Sequence, residues 1–109
     1  MFGFFKRKAF KVLAVNLLQE LVHGRLRDGK YFGLNAEDIC KKTGLNLIST
    51  INLLNRLTEY GLIEEYDFLD VACYRAINVP EYLDCTSSPN AVFGYAKRAI
   101  DRVDFKGLV

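Results

Sequence analysis

The side chains best equipped for chemistry in this 109-residue chain are few and scattered. The single histidine, His23, sits on a predicted helix face and reads as a surface or boundary residue. Cys40, Cys73 and Cys85 are odd in number and widely spaced, with no Cys-x-x-Cys pair, which argues against a disulfide framework and against a zinc knuckle. Cys40 and Cys73 fall at apolar positions of predicted elements and read as small buried hydrophobes in a reducing compartment. Glu64 and Glu65 are adjacent on a predicted strand, so their carboxylates point to opposite faces and cannot act as an acid–base pair. No Gly-rich phosphate loop, His-Glu-x-x-His or Gly-x-Ser-x-Gly occurs. The expectation is a protein that is not an enzyme, with no cofactor and no metal.

Binding is the chemistry left, and the charge distribution bears on it. The formal net charge is +2. Residues 1–34 hold Lys6, Arg7, Lys8, Lys11, Arg25, Arg27 and Lys30 against Glu20 and Asp28, a net +5. Residues 35–80 hold Lys41, Lys42, Arg56 and Arg75 against Glu37, Asp38, Glu59, Glu64, Glu65, Asp67 and Asp70, a net −3. Affinity for DNA comes largely from cations that neutralise phosphates, so their positions matter more than the total.

Length and composition predict one domain, residues 1–109, of soluble globular type: half of the residues are hydrophobic (50%) and 26% are charged, unlike a disordered chain. The longest apolar-rich stretch, Ala9 to Leu26, is broken by Lys11, Asn16, Gln19, Glu20, His23 and Arg25, so no integral membrane segment is expected. At the start, MFGFFKRK places apolar residues before basic ones, the reverse of a secretory signal, and a cytoplasmic location is expected.

Periodicity and punctuation then place the elements. Phe10, Leu13, Ala14, Leu17, Leu18, Leu21 and Val22 recur at helical spacing and predict a helix, α1, over residues 8–27, weakened near its end by Gly24 and stopped by Asp28-Gly29. Residues 30–34 suit a brief strand, β1, that pairs with a later hairpin. Asn35 is an N-cap for α2 (residues 36–42), with Glu37 and Asp38 where the helix dipole favours acids, Ile39 and Cys40 facing inward and Lys41 and Lys42 outward. Thr43-Gly44-Leu45 forms a turn, with glycine in the left-handed region and leucine tucked into the core. Asn46 caps α3 (residues 46–60), which Gly61 ends. Residues 62–66 begin strand β2 and residues 73–77 make the return strand β3, with the turn near Asp67–Asp70. Pro80 ends β3, and Ser88-Pro89 opens the last helix, α4 (residues 88–104), whose apolar edge is Val92, Ala96, Ala99, Ile100 and Val103, joined by Phe93.

Taken together, Asn35-x-x-Asp38-Ile39, Thr43-Gly44-Leu45, Leu53-Leu54-x-x-Leu57 and Gly61-Leu62-Ile63 resemble the winged helix-turn-helix superfamily of bacterial and archaeal regulators. Tyr74-Arg75-Ala76-Ile77 is similar to the pattern with which many such wings return to the core. The resemblance covers residues 9 to about 78 and implies a mainly α fold with a small β-wing (α+β), in the order α1-β1-α2-α3-β2-β3-α4. It also implies a transcriptional regulator that lays α3 in the major groove of double-stranded DNA. Asn46, Leu47, Ile48, Ile51, Asn52 and Asn55 would then face the groove, with Ser49 beside them and Thr50 at a position that is usually apolar and half buried. Asn52 and Asn55 have amides suited to adenine, while Asn46, Ser49 and Arg56, with Lys41, Lys42 and Arg75, would hold phosphates or sugars.

Other readings stand beside that one. Leu47, Ile48 and Ile51 cannot donate to phosphate, and a winged helix can equally serve as an adaptor whose apolar α3 face grips a protein partner or a second subunit. Asp67 and Asp70 put acids at the wing tip, which predicts a structural wing, and Arg75 either reaches a phosphate or pairs with a nearby acid. Phe2, Phe4 and Phe5 with Lys6, Arg7 and Lys8 form a basic-aromatic arm (residues 1–8) that suits a minor groove, an anionic lipid surface or packing on a neighbour. A homodimer through the first and last helices is expected, because both carry apolar residues beyond the needs of the core.

Overall fold

The computed structural model describes residues 2–29 and 32–108, with side chains from Lys8 onward. Its elements are α1 (Phe2–Asp28), β1 (Leu34–Asn35), α2 (Ala36–Thr43), α3 (Leu47–Glu59), β2 (Ile63–Phe68), β3 (Val71–Ala76) and α4 (Pro89–Asp101). Among the described residues the fold is α+β: four helices and one antiparallel sheet with strand order β1-β3-β2. Among the described residues no helix is long and apolar enough to cross a membrane.

Local chemistry sets most of the boundaries. The Asn35 side chain accepts from the amide of Asp38 at 2.8 Å, that of Asn46 from Ser49 at 2.8 Å, and that of Ser88 from Ala91 at 3.2 Å. Each cap satisfies an amide that the first helical turn leaves without a carbonyl. Gly44 stops α2 at φ 75°, and its amide donates to Cys40 at 2.8 Å. Thr43 ties the same turn from both sides, donating to the Ile39 carbonyl and accepting from Leu45.

Helix α1 differs from expectation in length and surroundings. Its backbone is helical from Phe2, so the expected arm is continuous with the helix, while the aromatic and basic side chains before Lys8 lie outside the described residues. Besides the expected stripe, Val15 is also buried, because α4 packs along one side of α1 and β3 along another. The core joins Leu17, Leu18, Leu21 and Val22 of α1 to Ile39, to Leu53, Leu54 and Leu57 of α3, to Ile63 and Ala76 of the sheet, and to Val92, Ala96 and Ile100 of α4. The apolar edge of α4 is therefore consumed inside one chain. The expected dimer surface on the first and last helices loses most of its residues to that packing, and Val12 and Phe93 are the large hydrophobics left exposed on those two helices among the described residues.

The sheet also departs in detail from the sequence reading. Strand β1 is confined to Leu34–Asn35, paired to Tyr74 and Cys73, and the earlier Lys30 and Tyr31 lie outside the described residues. Strands β2 and β3 are longer than predicted and pair from Ile63↔Ala76 to Phe68↔Val71, which leaves Leu69 and Asp70 as a two-residue turn. Both turn residues have positive φ (51° and 66°), as the tightest hairpin turns require.

Helix α1 continues through Gly24, which admits an aromatic ring. A Cβ at this buried position would stand 2.1 Å from Cε1 of Phe32. On an exposed helix, Gly→Ala gains about 1 kcal/mol, but forcing a methyl into a packed contact costs about 1–3 kcal/mol. Gly24→Ala is accordingly expected to lower stability in urea titrations. A second change, Phe32→Ala, should make the alanine at position 24 favourable, and a stabilised single variant would contradict the packing.

Candidate interaction surface

Helix α3 divides cleanly between an inner and an outer face. Thr50, Leu53, Leu54 and Leu57 are fully buried, and the Thr50 hydroxyl lies 3.3 Å from Sγ of Cys40, a contact that lets α2 and α3 pack at a polar position. Thr50 is thus deeper than the half-buried place expected of it, and Cys40 is half-buried where full burial was expected. On the outer face Leu47 is 55% exposed and Ile48 74%, with Ile51 exposed beside them. None of the three belongs to the buried core or to the partly buried residues packed on it among the described residues. Asn52 and Asn55 are exposed along the same helix, and Asn46 and Ser49 are joined by the cap.

The cations expected at phosphates are engaged within the chain. Arg56 turns away from the start of α3 and donates to the backbone carbonyls of Asp104 and Lys106, with both terminal nitrogens 3.2 Å from the latter. Its Nε lies 3.7 Å from Glu59. Tyr60 shares the task, its hydroxyl accepting from the Asp104 amide at 3.0 Å. Together they fasten the segment after α4 so that Phe105 reaches the core and meets Phe10 edge-to-face, centroids 5.7 Å apart. Arg75 pairs across the strands with Glu64 at 2.6 Å and lies 4.3 Å over the Tyr66 ring. The pairing follows from register, because Glu64 and Arg75 are directly opposite. Lys42 reaches Glu20 of α1 at 2.8 Å, and the hydrogen bond and charge of that carboxylate raise the ammonium pKa above its ordinary value. Lys41 is held more loosely, 4.0 Å from Glu37 one turn away.

The hairpin adds apolar surface that the sequence reading did not single out. Leu69 is 83% exposed at the turn, with Phe68 and Val71 exposed on either side. Asp67 and Asp70 are at the tip as expected, and Glu65 is exposed behind them. A signal was present in Phe68-Leu69-Asp70-Val71, since three large hydrophobics around a hairpin turn have no core to enter, but it required knowing where the turn falls.

Elsewhere the fold gathers groups that are remote in sequence. His23 lines a shallow cavity of about 380 Å³ with Leu26, Arg27, Asp84, Cys85 and Ser87. The connector before α4 folds back toward α1 and brings Asp84 and Cys85, remote in sequence, to the same cavity. Asp84 is occupied there as the acceptor for Thr86, whose hydroxyl and amide lower the carboxyl pKa below its ordinary value. Among the described residues no three histidine, cysteine or carboxylate side chains are placed to hold a metal ion.

The structural role of Arg56 is open to measurement. Arg56→Ala removes a part-buried charged donor from two carbonyls, an interaction class worth about 1.5–3 kcal/mol, and should lower stability while speeding amide exchange at Asp104 and Leu108. Arg56→Lys should restore little of it, since an ammonium cannot span both carbonyls. Unchanged stability in Arg56→Ala would show that the C-terminal segment is held without Arg56, by Tyr60 and Phe105. No protein-family model, curated protein or solved structure matches this chain, so a functional reading must come from these residues themselves.

Proposed function

We propose that this chain is a winged-helix protein-interaction module that grips a protein partner with the outer face of α3. The observation that carries the reading is the exposure of Leu47 and Ile48, together with Ile51, at the start of that helix. An aliphatic side chain fully removed from water contributes roughly 1.5–3 kcal/mol, so even partial burial of all three against a partner supplies a substantial apolar contact. On the same scaffold Arg56, Arg75 and Lys42 already satisfy acids or carbonyls of the chain. A duplex would meet an apolar helix start flanked by neutralised pairs and an acidic hairpin tip, which is poor ground for phosphate.

The second reading is a DNA-binding regulator, favoured by the exposure of Asn52 and Asn55 on the outer side of α3. The two separate in a titration of random duplex followed by fluorescence anisotropy at about 50 mM and about 200 mM salt, a range over which DNA binders making several phosphate contacts lose orders of magnitude in affinity. The interaction module is expected to show no binding at the lower salt, and salt-sensitive binding there would overturn it. Ile51→Lys sharpens the contrast: a duplex-binding helix should gain affinity from the added cation, whereas a protein-binding helix should remain inert to duplex.

A further inference from the structure

A second contact surface lies on the hairpin, and it depends on backbone rather than on α3. Strand β2 is an edge of the sheet. The two-residue turn makes Phe68↔Val71 the first hydrogen-bonded pair, so alternation places Tyr66 and Glu64 in further bonded pairs and turns the N–H and C=O of Glu65 and Asp67 outward. No other backbone segment takes up those groups among the described residues. Glu65 and Asp67 are exposed on one face of the strand and belong to no ion pair among the described residues.

Such an edge invites another strand, and its charges decide which. A second copy of this chain paired β2 to β2 would set glutamates and aspartates opposite one another, and like charges directly opposed are destabilising. The complement is a strand with cations two residues apart, matching Glu65 and Asp67, and apolar residues between them toward Tyr66 and Phe68. Protection of the edge against aggregation would be served by the acids alone. It gives no reason for Leu69, a leucine held at φ 51° and 83% exposed, where asparagine or glycine would spare about 1–2 kcal/mol of backbone strain. With Phe68 and Val71, that leucine supplies an apolar anchor where the added strand would end.

We propose that the outer edge of β2 takes up an extended segment of a partner protein, with lysine or arginine at alternate positions, by strand addition. The contact lies beyond the α3 face and does not require it. The test titrates the full chain with the capped peptide Val-Lys-Val-Lys-Val, its Val-Glu-Val-Glu-Val counterpart and a form of the former N-methylated on alternate amides, reading amide shifts and hydrogen exchange. The basic peptide should slow exchange at Glu65 and Asp67 several-fold, bind about tenfold more tightly than the acidic one, and lose its effect on N-methylation. The double variant Glu65→Lys with Asp67→Lys, checked for fold by circular dichroism, should reverse the preference, while Ile51→Lys should leave it unchanged. Absence of binding, equal binding of the N-methylated peptide, or shifts confined to other elements would overturn the proposal. So would protection of Glu65 and Asp67 that grows with protein concentration alone, which would make a second copy the occupant.

Discussion

The structure depends on covering α1 from two sides. Its buried residues form a wide band, from Leu17 and Leu21 round through Ala14 and Leu18 to Val15, too wide for a single neighbouring layer to cover. Helix α4 supplies one layer, and β3 with α2 supplies the other. The remaining features follow from that arrangement. The connector after β3 must return to α1, which brings Leu83 into the core and folds Asp84 and Cys85 over His23. The segment after α4 must then pass α3, where Arg56 and Tyr60 receive it. A residue that looked like a phosphate ligand in sequence becomes a fastener because α4 needs its far end held.

Much of this fold was legible because its punctuation is local. Asn35, Asn46 and Ser88 cap the helices they were expected to cap, and Gly44 adopts the left-handed turn, since each of these outcomes is decided within a few residues. The division of α3 was legible for a related reason: Leu53, Leu54 and Leu57 share one helical face, and Leu47, Ile48 and Ile51 fall away from it. What could not be read was the pairing of distant surfaces. The partners of Arg56, the burial of the α4 edge against α1 and the joining of His23 to Cys85 are all set by how the chain returns. The hairpin turn sits between the two cases. Asp67 to Asp70 marked its neighbourhood, but the register that isolates Leu69 and Asp70 comes from the pairing of Ile63 with Ala76 and from Glu64 meeting Arg75.

The engagement of a cation inside the chain does not by itself remove it from use, and magnitudes decide how far the argument goes. An exposed ion pair such as Lys42–Glu20 is screened by solvent and contributes little, so a phosphate could draw Lys42 away at little cost. Glu20 would nevertheless remain within reach, and the phosphate would meet a site of nearly zero net charge. Arg75 is harder to divert, because its guanidinium is part-buried, pairs with Glu64 and lies over Tyr66 at once. Diverting Arg56 would uncouple the C-terminal segment from α3. The apolar residues differ: Ile48 and Leu69 are largely exposed and Leu47 is about half exposed, and covering them with a partner breaks no hydrogen bond or ion pair. Physical chemistry thus favours contacts made through surface that the fold leaves unused over contacts that must first dismantle part of it.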